Sequence, residues 1–277
     1  MCLFTACDNE PVGNLESGNS NNTDNGENSA VYFPLTENNY WRYEVNASSE
    51  IDELNYTEID SLYVAINNGY TYGLEVNAVD SPGYGTMSNL LANGELTATE
   101  TALFFSGTLS LLDDLGIDES YNLEDLKLYD KEATPSEVLY SNSGSFSQSI
   151  ALDGFDLPIS ASYTLTNQLT NIIENMTVYG QNYSSIMEGE LILNLSIDLE
   201  IEIIGISQTI NILPAQNVLV MDHFFAENIG LIKAVAEQSF NLDTSLESII
   251  NLAGIELDIP SSLLFTNTQE LMNFELN

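Results

Sequence analysis

From Leu191 to Ile203 apolar and polar residues alternate without a break. Leu191, Leu193, Leu195, Ile197, Leu199, Ile201 and Ile203 hold the odd positions, and Asn194, Ser196, Asp198, Glu200 and Glu202 stand among the even ones. A period of two puts one set on each face of a β-strand, one dry and one wet. At about 3.3 Å per residue this strand reaches roughly 43 Å, far beyond the usual 5–6 residues. Strands of that length twist, which predicts a mainly β fold: a strongly curved antiparallel sheet or half-barrel of long hairpins.

Neighbouring segments fit the same plan. Gly205-Ile206-Ser207 is expected to turn the chain into a strand over Gln208 to Phe225, disturbed near Pro214, where a ladder donor is missing. Glu227-Asn228-Ile229-Gly230 turns it again into Leu231 to Phe240, with Gly230 in a backbone conformation other residues avoid. Asn93-Gly94 predicts a hairpin between Met87–Ala92 and Glu95–Leu103. Ile159, Ala161, Tyr163 and Leu165 alternate along another strand, and Tyr32 to Val45 and Leu62 to Val79 read as extended. One or two short helices are expected, over Leu109 to Leu115 and over Ser245 to Leu252. No compositional break follows residue 30, so residues 31–277 read as a single β-rich domain.

The amino-terminal part is different. Of the 23 residues from Asp8 to Ala30, 18 are Asn, Gly, Ser, Asp or Glu, a stretch that buries almost nothing and predicts a disordered acidic tether over 8–30. As a flexible coil it spans roughly 25 Å. Just before it, Phe4-Thr5-Ala6-Cys7 resembles a bacterial lipobox, in which small residues admit the signal peptidase and the thiol takes the lipid. Residues 1–7 therefore read as a truncated signal with Cys7 as the lipidation site. The chain has 2 cysteines; Cys2 would leave with the signal and Cys7 would be capped, leaving the body without a disulfide or thiolate chemistry.

Charge narrows the function classes. The chain carries 42 carboxylates against 4 Lys and Arg, a net charge of -38. Nucleic-acid binding and docking on an anionic membrane through a basic patch both need cations that this chain lacks. Like charges also repel within the compact state, so a saline habitat and non-specific divalent cations on the surface are expected. No cofactor and no built metal site are expected; no calcium-loop pattern occurs, and Asp24-Asn25-Gly26-Glu27 and Asp113-Asp114 are too short to make one.

Two aromatic blocks frame the body. Tyr32-Phe33-Pro34-Leu35 leads into Asn39-Tyr40-Trp41-Arg42-Tyr43, and Phe224-Phe225 precedes Gly230-Leu231-Ile232-Lys233. In order and spacing they resemble a group of largely uncharacterised β-rich lipoproteins of Bacteroidota. That resemblance implies a curved sheet like those of periplasmic lipoprotein carriers, an outer-membrane lipoprotein at the cell surface or the periplasmic face, and no particular reaction. Tyr40, Trp41, Tyr43, Phe224 and Phe225 are the candidates for a ligand-facing surface. The competing reading is that they fill the core of the sheet.

Catalytic signals are weak. His223 is the only histidine and its neighbour Asp222 points to the opposite face of the strand. No Gly-x-Ser-x-Gly elbow occurs; Gly83-Tyr84-Gly85 lacks the rest of a dinucleotide fingerprint. Long alternating strands also suit a transmembrane barrel, but too few segments are as clean as Leu191 to Ile203. The reading is a non-catalytic cell-envelope lipoprotein, held to the membrane by its lipid, that binds an apolar ligand or a partner protein. The alternatives are a surface adhesin or glycan-binding module and, behind it, a secreted hydrolase.

Overall fold

The computed structural model describes residues 32–77, 82–109, 121–152, 155–203, 206–244 and 260–277. Cys7, the tether and both expected helices (Leu109 to Leu115 beyond its first residue, and Ser245 to Leu252) lie outside them. Six strands make the first half: β1 (Tyr40–Ser49), β2 (Tyr56–Asn67), β3 (Thr71–Val76), β4 (Gly94–Ala98), β5 (Ala102–Leu109) and β6 (Tyr121–Asp130). The second half is longer: β7 (Glu137–Leu152), β8 (Phe155–Val178), β9 (Gln181–Ile203), β10 (Ile206–Ala226), β11 (Gly230–Asn241) and β12 (Ser262–Glu275). One helix, α1 (Thr86–Ala92), stands between β3 and β4.

Each strand pairs antiparallel with its neighbour in sequence from β1 to β6 and from β7 to β12, and β1 pairs with β12. The result is a nearly closed, barrel-shaped sheet of 12 strands whose hydrogen-bonded order breaks between β6 and β7. The curved antiparallel sheet expected from the sequence is therefore what forms, closed further than a half-barrel. Leu191, Leu193, Leu195, Ile197 and Leu199 on β9 are all at most 2 % exposed, and they join one continuous core inside the curl. Burying five such side chains contributes roughly 10 kcal/mol as an upper estimate. Asn194, Ser196, Asp198 and Glu200 face outwards. Transmembrane barrels carry the reverse arrangement, apolar outside and polar within.

The turns sort into two ends. The β2–β3, β4–β5, β6–β7, β8–β9 and β10–β11 connections share the end at which Tyr32 begins, here called proximal. At this end Tyr179 and Gly180 turn β8 into β9 with φ of 47° and 77°, the double positive angle that a two-residue hairpin requires. The β1–β2 turn, α1 and the β11–β12 connection lie at the distal end.

Three expectations change. Met87 to Ala92 is helix, not strand: Met87, Leu90 and Leu91 share one helical face and are buried, and Asn93 caps the helix while Gly94 opens β4. Leu62 to Val79 is two strands with a turn at Asn68-Gly69-Tyr70, where Gly69 takes φ 86°. The residues Tyr32 to Asn39 are largely irregular, and the first strand begins at Tyr40. The expected disturbance near Pro214 is present as register shifts on either side of it.

The break is fastened by side chains. Asn167 points inwards from β8 and is fully buried. Its Nδ2 donates to the backbone carbonyls of Lys127 and Leu128 on β6, at 2.7 and 3.1 Å. One buried amide thus joins β6 to the inner face of β8, where the two strands share no ladder. Asn167 Oδ1 in turn meets His223 Nε2 at 2.9 Å, which assigns the ring proton to Nε2. The imidazole reaches across β9 because residue 189, opposite His223 in the ladder, is glycine; a Cβ there would meet the imidazole ring.

His223 is thus a core histidine. Its Nδ1 has no partner among the described residues, and burial lowers its pKa from 6.5 to about 4. Folding favours the neutral ring, so its contribution to stability is complete above the unfolded pKa and is lost as pH falls through the window between these values. From about pH 7 to about pH 5 the stability advantage of the wild type over His223→Gln is expected to shrink by about 2 kcal/mol. Urea unfolding of the two proteins checks this; parallel pH profiles would contradict it.

Candidate functional site

The five aromatic candidates lie towards the proximal end and face protein. Trp41, Tyr43 and Phe225 are fully buried, Phe224 is 8 % exposed and Tyr40 is half-buried. Trp41 Nε1 donates to the carbonyl of Ile229 at 2.6 Å, and the Tyr43 hydroxyl to that of Leu231 at 2.9 Å. Phe33 lies 4.7 Å from the Trp41 ring and 5.8 Å from Phe225, and Tyr129 lies 5.1 Å from Phe225, all tilted. This is tilted packing of an aromatic plug. A register shift separates Phe224 from Phe225; in the ladder with β9 Phe224 stands opposite Glu188 and Phe225 opposite the buried Met187. Gly230 has φ 111° as expected, and a Cβ on it would meet the Phe33 ring. Burial holds the Tyr43 hydroxyl well above its ordinary pKa, helped by Tyr183 and Asp60 nearby.

The other aromatic site, at the distal end, is open. Before α1 the chain turns through Gly83-Tyr84-Gly85, and Asp60 on the inner face of β2 holds that turn. Asp60 is fully buried. Its Oδ1 accepts from Asn77 Nδ2 at 3.0 Å and the Tyr84 amide at 2.9 Å; its Oδ2 accepts from the Gly85 amide at 2.8 Å. Next to it β12 supplies two amides: Asn267 Oδ1 accepts from the Thr86 amide at 3.1 Å and Gln269 Oε1 from the Ser88 amide at 3.2 Å. These side chains satisfy the first N–H groups of α1. A seven-residue helix does not hold itself together in water, and here the sheet pins its start. Gly85 leaves room for Gln269, whose side-chain amide a Cβ would displace.

A cavity of about 260 Å³ opens beside this turn. Tyr56 and Tyr84 form one wall, their rings 5.9 Å apart. The Tyr56 hydroxyl donates to the Tyr84 carbonyl at 2.9 Å, and Asn267 Nδ2 donates to both, at 3.2 and 3.0 Å. Asn89 closes the turn by bonding both the amide and the carbonyl of Gly83. Asn93 and Thr108 line a second side, and Gln238 and Phe265 a third. Among the described residues no lining residue is charged. Burial raises the Tyr56 pKa, and the Asp60 carboxylate adds to the effect against the bond from Asn267.

Asp222 and His223 face opposite sides of β10, as the strand geometry requires. Asp222 stands opposite Glu190 in the ladder; burial, then Glu190 and Glu188, raise its pKa. These carboxylates lie side by side on the outer face. Among the described residues no group of three His, Cys, Asp or Glu side chains could hold a metal ion, and no helix is long and apolar enough to cross a membrane. No family model matches the sequence, and no curated protein and no solved structure matches it.

Sequence reasoning missed the cavity residues. Tyr56, Tyr84, Gln238 and Asn267 come from four distant places and share no spacing; the one local signal was the Gly-Tyr-Gly turn. Since Asp60 fixes that turn, Asp60→Asn replaces an acceptor-only group by one bearing donors and leaves buried N–H groups unpaired. A loss of about 3 kcal/mol in unfolding free energy is expected; wild-type stability in urea would contradict the assignment.

Proposed function

We propose that this protein is a non-catalytic lipoprotein of the outer membrane, anchored through Cys7, that binds a partner protein by adding a strand of the partner to the edge of β7. The carrying observation is the edge itself. Among the described residues β7 has a hydrogen-bonded neighbour on one side only, and it is 16 residues long. Native edges are blunted by charged residues, proline or brevity. From Val138 to Leu152 this strand has no charged residue and no proline, on a chain with a net charge of -38. Its outer face is a row of serines, of which Ser143 already bonds Thr164 on β8 at 3.0 Å. Backbone pairing along such an edge gives affinity, and the alternate side chains give selectivity.

The continuous core weighs against the apolar-ligand form of the reading, because the inward leucines of β9 touch one another and the aromatic plug. The placement of the ends supports tethering. Tyr32 stands at the proximal end, so an anchor preceding it joins the body at the end opposite the distal cavity. The lipobox and the two aromatic blocks supply the envelope assignment.

Photocrosslinking in cells of the native host tests the reading. A photoreactive residue at Ser143 is expected to trap one defined protein, and the product should disappear in the Ser141→Lys, Ser145→Lys double variant, whose charges block the edge. Labelled palmitate should enter the wild type and not Cys7→Ala. Crosslinks that persist in the Lys variant, or that form equally from Thr177 on the far hairpin, would contradict strand addition.

A further inference from the structure

The distal cavity has a lining whose chemistry selects its ligand. We infer that it binds a neutral, hydroxyl-rich ring, that is, a single sugar unit, free or at the end of a glycan. This inference is independent of the β7 edge.

Charge comes first. The chain carries 42 carboxylates, yet among the described residues none lines this cavity, and neither does a Lys, Arg or His. A cation would find no counter-charge inside. An anion would find none either, and would have to approach a strongly acidic body. Burying an ion without a partner is costly, so the ligand is neutral.

Polarity comes next. The polar groups of Asn89 and Asn267 are engaged in holding the Gly83–Gly85 turn and the Tyr56 hydroxyl. Four others, Thr86, Asn93, Thr108 and Gln238, line the cavity and form no side-chain hydrogen bond among the described residues. Amides and hydroxyls both donate and accept, and so does a sugar hydroxyl. An apolar ligand would strip water from these groups and return nothing, a loss for each group left unpaired.

Shape completes the case. Tyr84 is 44 % exposed, and its ring is braced against Tyr56. A rigid aromatic face beside convergent amides suits a ring with an apolar C–H face and polar edges. The volume of about 260 Å³ falls below the roughly 300–1,000 Å³ of sites for drug-sized ligands, which limits the buried part to one ring. The wall is set before any ligand arrives, because Asp60 and Asn267 fix the turn that carries Tyr84.

The test is saturation-transfer NMR, followed by titration calorimetry, on the body of the protein with its tether retained. The probes are neutral hexoses, N-acetylhexosamines and their disaccharides, with glucuronate and decanol as charged and apolar controls. At least one neutral sugar should bind at millimolar concentration while both controls fail. Tyr84→Ala and Gln238→Leu should each weaken it about tenfold with unchanged unfolding in urea. Tyr84 is 44 % exposed and the Gln238 side chain forms no hydrogen bond among the described residues, so neither variant removes a side-chain hydrogen bond that holds the fold. No binding by any neutral sugar, preference for glucuronate or decanol, or undiminished binding by both variants would each overturn the inference.

Discussion

An alternating strand has an apolar face that must be hidden, and a single sheet has only two means of hiding it. It can be covered by a second layer, or it can curl until the face meets itself. With one seven-residue helix among its described elements, this chain curls. Twelve antiparallel strands close on a core built from their own inward side chains, and the outward face is left to the carboxylates. The acidic surface and the apolar interior are thus two faces of one pattern, and apart from the buried Asp60 the described carboxylates stand where water and salt screen their repulsion.

Pairing β1 with β12 moves the weak point of the curl away from the chain ends to the gap between β6 and β7. There the backbone groups of β6 would otherwise meet an apolar wall, at a cost for each unpaired carbonyl. Asn167 supplies the partner, and Gly189 makes room for the histidine that holds Asn167 in turn. Because β6 is fastened to the inside of β8, β7 is left with no second strand neighbour among the described residues. The same asymmetry that closes the body therefore leaves the uncharged run from Val138 to Leu152 without a second strand neighbour among the described residues, and the functional proposal follows from that geometry rather than from any catalytic group.

How much of this was legible depended on whether a residue's role was periodic. Leu191 to Ile203 declared itself because one face is wholly aliphatic. Leu231 to Phe240 and the glycine turn at Gly230 did so for related reasons. β7 was missed: Ser-Asn-Ser-Gly-Ser-Phe-Ser-Gln-Ser alternates polar with small, and an edge strand has less apolar surface to advertise. Met87 to Ala92 was misread because Asn93-Gly94 suits a hairpin, whereas the three-and-four spacing of Met87, Leu90 and Leu91 marks a helix. Trp41 and Phe225 could be placed on a strand but not assigned to core or surface, since alternation alone does not say which face is covered. The distal cavity left only the Gly83-Tyr84-Gly85 turn as a local trace, because its other walls come from β2, β5, β11 and β12.

The central claim is that the sheet hides its apolar face by closing on itself, with Asn167 as the fastening. Amide hydrogen exchange, resolved by strand, in the wild type and in Asn167→Leu tests it directly, because leucine keeps the volume and removes the bonds to Lys127 and Leu128. The account predicts that the amides of β6 lose protection well beyond those of β9 and β10, as the seam opens locally. Unchanged protection of β6, or a loss spread evenly over all strands, would contradict it.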